Sequence, residues 1–257
     1  MSETLLSPAF EAKLRAARTA SLTLAQASTA QKNAALEAIA AAVETGAARI
    51  LPANALDLEA GRANGISEGL QDRLRLDEAR LAGLAAATRD VIALPDPIGT
   101  VVRGSTLPNG LQLTQVRVPF GVVGAIYEAR PNVTIDIAAH ALKSGNASVL
   151  RGGTAAENTN RVLVELIQEA LVSVGLPAEI VQTIDEFGRD GATALVQARG
   201  FVDVLIPRGS ANLIDTVVRE SKVPVIETGA GVVHLFLDKT ADVEMATEIS
   251  IPRLIKP

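Results

Sequence analysis

From Phe120 onward this chain repeats one pattern, a short continuous apolar run followed by a stretch with helical spacing. The runs are Gly121 to Tyr127, Ala147 to Leu150, Ile180 to Ile184, Val202 to Ile206 and Val223 to Ile226. Between them lie Val133 to Lys143, Ala156 to Val174, Ala192 to Ala198 and Ala211 to Glu220. Strands without polar alternation are buried on both faces, and strands joined by helices run parallel. The spacing predicts an α/β fold with five parallel strands, four right-handed crossover helices and a ligand crevice at the carboxyl ends of the strands.

The chain before this series is helical up to about Asp90, with Leu36, Ile39, Ala40 and Val43 at i, i+3, i+4, i+7 spacing and Pro95-Asp-Pro97 as the stop. Between Thr100 and Val118 two extended segments flank Pro108-Asn-Gly110, whose Asn-Gly pair predicts a β-hairpin. Leu111 and Leu113 share one face of its second arm while Val116 and Val118 take the other, which predicts a bulge or strong twist near Gln115. Such an arm is a candidate contact with a neighbouring subunit.

With 257 residues, 48% of them hydrophobic, the chain can bury one large core or two modest ones. A single Tyr, no Trp and a net charge of -5 leave neither a stacking platform nor a basic footprint, which argues against nucleic acid as a partner. No apolar stretch approaches the roughly 18 residues that span a bilayer, and Met1-Ser-Glu-Thr does not open a signal peptide, so the expectation is a cytoplasmic protein. Absence of cysteine excludes disulfides, thiolate metal sites and a thiol nucleophile within these residues. His140 and His234 are the only imidazoles, too few and too far apart in sequence to suggest a metal site, so none is expected.

The polar residues of interest fall near the predicted strand ends. Ile206-Pro-Arg-Gly-Ser-Ala211 closes one strand and opens a helix, where Arg208, Gly209 and Ser210 form a candidate anion cradle; an ordinary capped helix is the plainer reading. Lys143-Ser-Gly-Asn146 and Leu150-Arg-Gly-Gly153 bring Lys143, Arg151 and Gly152 to consecutive strand ends, with Arg151 suited to an adenosine 2'-phosphate; each cation could equally be solvated. In Ala129-Arg-Pro-Asn-Val133, Pro131 fits a first helical turn, and Asn132 either donates to an oxyanion or caps the helix. Glu227, after four apolar residues and before Gly229-Ala-Gly231, is expected in surroundings that raise a carboxylate's pKa and suit acid-base work, or else as a local structural glutamate. No G-x-G-x-x-G follows any strand.

In order, Val118-Pro-Phe-Gly-Val-Val-Gly-Ala-Ile-Tyr-Glu-Ala-Arg-Pro-Asn-Val-Thr-Ile-Asp136, Leu142-Lys-Ser-Gly-Asn146, Leu150-Arg-Gly-Gly153, Ile206-Pro-Arg-Gly209 and Pro224-Val-Ile-Glu-Thr-Gly229 resemble the gamma-glutamyl phosphate reductase family of the aldehyde dehydrogenase superfamily. Gln31-Lys-Asn-Ala-Ala-Leu36, Ala53-Asn54 and Asp72-Arg-Leu74 extend the likeness through the helical start, so that it reaches to about Ile249. The resemblance implies NADPH-dependent reduction of L-glutamyl 5-phosphate to the semialdehyde with release of phosphate, a step of proline biosynthesis that proceeds through a cysteine thioester. It implies Asn132 as the oxyanion asparagine, Glu227 as the glutamate near the nucleophile, Arg151 beside the adenosine ribose and Gly209-Ser210 at the pyrophosphate turn.

The resemblance also implies a division into 1–99, the helical part of the cofactor domain; 100–118, an oligomerisation hairpin that would pair subunits; 119–237, the NADP-binding α/β part; and 238–257, the start of a catalytic domain. The family's nucleophilic cysteine stands some thirty residues beyond this glutamate, past Pro257. The tail Ile251-Pro-Arg-Leu-Ile-Lys-Pro257 departs from the family's Asn-Ala-Lys-Thr approach, from which a frame change or cut near Ser250 is expected. These residues alone are therefore expected not to turn over the acyl phosphate substrate. The alternative is a non-catalytic nucleotide-binding or oligomerising fragment.

Overall fold

The computed structural model describes residues 7–228 and 234–254. They fall in two compact units, Met1–Glu227 and Thr228–Pro257. The first unit opens with five helices: α1 (Pro8–Leu24), α2 (Thr29–Thr45), α3 (Ala47–Ala63), α4 (Glu68–Leu74) and α5 (Glu78–Ala93). Their starts follow from local chemistry. The Ser7 hydroxyl accepts from Phe10 N with Pro8 leading α1, Ser28 and Gln31 form a capping box on α2, and Asp77 caps α5.

Asn54 ties this layer together. Its amide donates to Leu74 O at 2.9 Å and its carbonyl accepts from Leu76 N at 2.8 Å. One turn on, the Asp57 carboxylate accepts from Thr159 N at 2.8 Å and Asn158 N at 3.2 Å. An acid from α3 thus satisfies free N–H groups in the first turn of α7 (Glu157–Ser173), where negative charge is favoured.

The sheet holds β3 (Val122–Tyr127), β4 (Ala147–Arg151), β5 (Val181–Thr183) and β6 (Val204–Arg208), all parallel, in the order β5-β4-β3-β6. Their connections run through α6 (Pro131–Lys143), α7 and α8 (Gly188–Val196), and α9 (Ala211–Glu220) follows β6. Period-2 burial sorts the side chains. Ala125, Tyr127 and Leu150 join a core with Leu36, Ile39, Leu142, Leu163 and Ile167. Val122, Ile126, Ala147 and Val149 join a second core with Phe10, Leu14, Leu195, Leu205 and Val217. Helices therefore cover both faces of the sheet: the first half of α1, through Phe10 and Leu14, packs in the second core, while its end, Ala20 and Leu24, joins α2 and α7 in the first.

The expected fifth strand is reduced to a single bridge. Val225 pairs with Leu205; Leu205 N donates to Pro224 O at 2.8 Å and Ile226 N to Leu205 O at 2.9 Å. Pro224 has no N–H to give a ladder, and the Val223 N–H goes to Ser221 Oγ at 3.0 Å instead of to a strand.

Before the sheet, β1 (Val101–Thr106) and β2 (Gln112–Val116) form the expected antiparallel hairpin, with two differences in detail. The Gly110 N–H closes a turn onto Leu107 O at 2.8 Å, so Pro108 and Asn109 are its central pair. Gly110, at φ 85°, is the bulge residue beyond them, the geometry of a three-residue loop and not of a two-residue Asn-Gly turn. The register slips between Val101 and Arg103 opposite Val116 and Gln115, placing the extra residue on the first arm. Every residue of both strands is exposed.

The second unit carries α10 (Val243–Leu254), started by the Asp242 carboxylate accepting from Met245 N at 2.9 Å. The Gly229-Ala-Gly231 turn lies outside the described residues. Among the described residues no helix is long and apolar enough to cross a membrane.

Candidate functional site

Parallel strands bring their carboxyl ends to one rim, and the order β5-β4-β3-β6 makes the gap between β3 and β6 the point where the chain reverses direction across the sheet. In register, Tyr127 stands beside Arg208 and Ile126 beside Arg151. The rim therefore gathers Glu128 to Pro131, Arg151 to Gly153 and Arg208 to Ser210.

Ser210 caps α9, accepting from Leu213 N at 3.3 Å, so the ordinary cap and the anion cradle are the same object. What lies in the cradle is a carboxylate of the protein itself. Glu128 accepts from Ser210 N at 2.9 Å and from Ser210 Oγ at 3.0 Å. A Cβ on Gly209 would stand 2.7 Å from Glu128 Oε2, so only glycine lets the acid approach. Next to it a groove of about 460 Å³ runs between α8 and α9, lined by Ile126, Val196, Leu213 and Val217 with Glu128 and Ser210 at one end.

Arg151, at the end of β4, is 8% exposed. Its one side-chain hydrogen bond runs from Nε to Gly188 O at 3.2 Å, and among the described residues no carboxylate lies within ion-pair distance. Burying a guanidinium with no ion-pair partner in contact is costly unless an anion completes it. The neighbouring Gly152 N–H donates to Asp185 Oδ1 at 2.7 Å. Burial pushes Asp185 up to about 6, against the pull of Asn160, the Gly152 N–H and Arg151.

Asn132 sits in the first turn of α6, one residue past Pro131, and does not cap it. Its amide donates to Asp136 Oδ2 at 3.3 Å, and burial raises Asp136 above the usual carboxylate range. Just upstream, Ala129 holds φ 31°, the one positive value at a non-glycine among the described residues. Arg130 stands close to Arg73 and Arg208; burial and then these two cations lower its pKa, with Glu128 opposing.

Two expectations are corrected. Lys143 is not at this rim: α6 carries the chain back to the amino ends of the strands, so a residue ahead of β4 falls on the opposite side. There its ammonium, 4% exposed, donates to Asn33 Oδ1 at 2.7 Å and Ile92 O at 2.9 Å. Glu227 is exposed, and the preceding Ile226 is 51% exposed, so the enclosing apolar surroundings are absent within the described residues. His140 is exposed on α6, with Nδ1 2.7 Å from Asp136 O, and His234 is exposed too.

Glu128, Arg130 and Asp185 were missed by the sequence reading, although a signal was there. Each lies within four residues of the end of an apolar run, where a parallel sheet must present polar groups to its crevice.

The aldehyde dehydrogenase family model matches residues 7–255. The chain belongs to that family. Its fold is that of an aldehyde dehydrogenase, in part: the gamma-glutamyl phosphate reductase of Thermotoga maritima superposes with a TM-score of 0.85 at 39% identity, over 93% of this chain and 58% of that one. In sequence the chain is 64% identical to the gamma-glutamyl phosphate reductase of Leifsonia xyli and 62% identical to that of Clavibacter michiganensis, each over 97% of its length. It spans 59% and 58% of those two relatives. The resemblance drawn from the motifs therefore holds at both levels, superfamily and reductase.

Proposed function

We propose that these residues form the dinucleotide-binding part of a cytoplasmic NADPH-dependent reductase acting on L-glutamyl 5-phosphate. The observation that carries this reading is Arg151, more than nine-tenths buried at the crevice rim and, among the described residues, in ion-pair contact with no acid. A 2'-phosphate is the anion it fits, through paired N–H donors. The start of α9, with Arg208, Gly209 and Ser210, would hold a pyrophosphate, and the groove between α8 and α9 offers apolar walls to a planar ring. For a phosphate to enter the cradle, Glu128 must leave Ser210. Gly152 lets the chain turn tightly beside Arg151, since a Cβ there would stand 2.0 Å from Asn160 Nδ2.

When bound, the nicotinamide ring supplies hydride. Asn132, beside the rim, would offer its amide to an oxyanion on exchanging Asp136 for substrate. Glu227 would take its role as acid or base only where further surroundings enclose it. The sequence contains no thiol, so these residues contribute binding and charge to the reaction and not the nucleophile. The four-part division of the chain into helical region, hairpin, nucleotide part and catalytic start goes with this reading.

Calorimetric titration tests it. NADPH should bind saturably and more tightly than NADH, and Arg151→Ala should abolish the preference. Equal affinity for the two, or none for either in a folded chain, would overturn the reading.

A second role for the same chain, assembly with another copy, is favoured by the hairpin. A two-stranded ribbon exposed on both faces is marginal by itself and carries Leu111, Leu113 and Val116 into solvent.

A further inference from the structure

Beneath the rim runs a chain of hydrogen bonds that the nucleotide reading does not use. Tyr127 Oη and Thr134 Oγ1 are 2.7 Å apart, Thr134 Oγ1 donates to Asn160 Oδ1 at 3.0 Å, and Asn160 Nδ2 donates to Asp185 Oδ2 at 3.3 Å. Asp185 Oδ1 takes the Gly152 N–H at 2.7 Å. Tyr127, Thr134 and Asn160 are buried. Because the threonine's one proton goes to Asn160, the proton between the two hydroxyls is the tyrosine's. The chain therefore has a single direction, from Tyr127 to Asp185, and it ends where two donors, one from each side, meet one acceptor-only group.

We propose that Asp185 is a positioning residue that fixes the Arg151-Gly152 turn, and that the direction of the Tyr127–Thr134–Asn160 chain is what holds its carboxylate in place. The inference rests on the reading of Arg151 as the nucleotide's phosphate contact. Gly152 cannot be held by packing a side chain of its own, since it has none and Asn160 fills the space where one would begin. The N–H bond to Asp185 is the side-chain restraint on that peptide, and among the described residues the adjoining Arg151 guanidinium hydrogen-bonds Gly188 O alone.

An amide in place of the acid makes the proposal testable, because it cannot face two donors. In Asp185→Asn either Gly152 loses its acceptor or Asn160 turns over. Turning over makes Asn160 donate to Thr134 and Thr134 donate to Tyr127, which leaves the tyrosine's proton buried and unpaired. Exchanging the acid and the amide removes the conflict, because a carboxylate at position 160 accepts from Thr134 and from the new amide, whose oxygen keeps the Gly152 N–H; Asn160→Asp should therefore rescue Asp185→Asn. Generic packing would give no such rescue, and a role by charge alone would leave Gly152 exchange unchanged in every variant.

The full chain and three variants, Asp185→Asn, Asn160→Asp and the double variant, would be compared by amide hydrogen exchange at Gly152 and by titration with NADP at neutral pH. Asp185→Asn should speed Gly152 exchange about tenfold and weaken NADP by about the same factor, the equivalent of one lost hydrogen bond. Asn160→Asp alone sets two carboxylates face to face and should disturb both readouts at least as much, whereas the double variant should return both to within about threefold of the parent. Unchanged Gly152 exchange in Asp185→Asn, or a double variant no better than the single one, would overturn the proposal. If no form binds NADP, the nucleotide reading falls, and Gly152 exchange with its rescue by Asn160→Asp still decides whether Asp185 positions the turn.

Discussion

Two buried cations, one at each end of the sheet, show the difference between a charge that builds the fold and a charge set aside for a ligand. Lys143, at the amino ends of the strands, gives its protons to Asn33 Oδ1 and Ile92 O and so joins α6 to α2 and to the end of α5. Arg151, at the carboxyl ends, is nearly as buried yet spends one N–H on Gly188 O and, among the described residues, makes no ion pair. Burial alone does not separate the two; the count of partners does. In sequence both stand next to β4, one ahead of it and one at its end.

Substitution should pull the two apart. Arg151→Ala should weaken NADPH about a hundredfold, from the loss of two charge-assisted hydrogen bonds, and leave NADH and thermal stability nearly unchanged. Lys143→Met, which keeps the apolar stem but strands two buried acceptors, should do the reverse. We expect a loss of about 2–4 kcal/mol in urea unfolding, with NADPH affinity unchanged in the folded fraction. If Lys143→Met weakened NADPH as Arg151→Ala does, the assignment of the two ends would be wrong.

A smaller effect is expected at the cradle. Glu128→Gln keeps an acceptor for Ser210 but removes the charge that competes at the start of α9, so NADPH and NADH should both tighten by roughly fivefold, about 1 kcal/mol. Weaker binding of both would mean that Glu128 assists the nucleotide. Smallest in its effect on the protomer is Leu113→Asp on the exposed hairpin. Its melting temperature should shift by no more than the equivalent of about 0.5 kcal/mol, while sedimentation should show any self-association lost. A substituted chain that still assembles would place the contact elsewhere.

Much of this was legible in the sequence for definite reasons. Continuous apolar runs and helical spacing located β3 to β6 and their crossovers, and a glycine after each of Arg151 and Arg208 marked backbone that something approaches closely. What was not legible depended on topology or on contacts between distant segments. Lys143 was misplaced because a crossover helix reverses the end of the sheet at which its last residue arrives. The Val223–Ile226 run reads as a strand by composition, but Pro224 removes a donor and Ser221 takes another. Glu128 reaches across 82 positions to Ser210, and Gly152 across 33 to Asp185, separations at which local spacing carries no information.

The first helix has a consequence for how the chain is made. Phe10 and Leu14 on α1 pack in the core with Leu195 and Val202, and Lys13 and Arg18 bond partners 170 and 185 positions further on. At ribosomal rates of about 5–20 residues per second, α1 leaves the exit tunnel roughly ten to forty seconds before its seat exists. Over that interval its apolar stripe has nothing native to cover it. A helix made this far ahead of its partners docks late, which makes α1 a segment in need of a chaperone and a place where slowed translation would do harm.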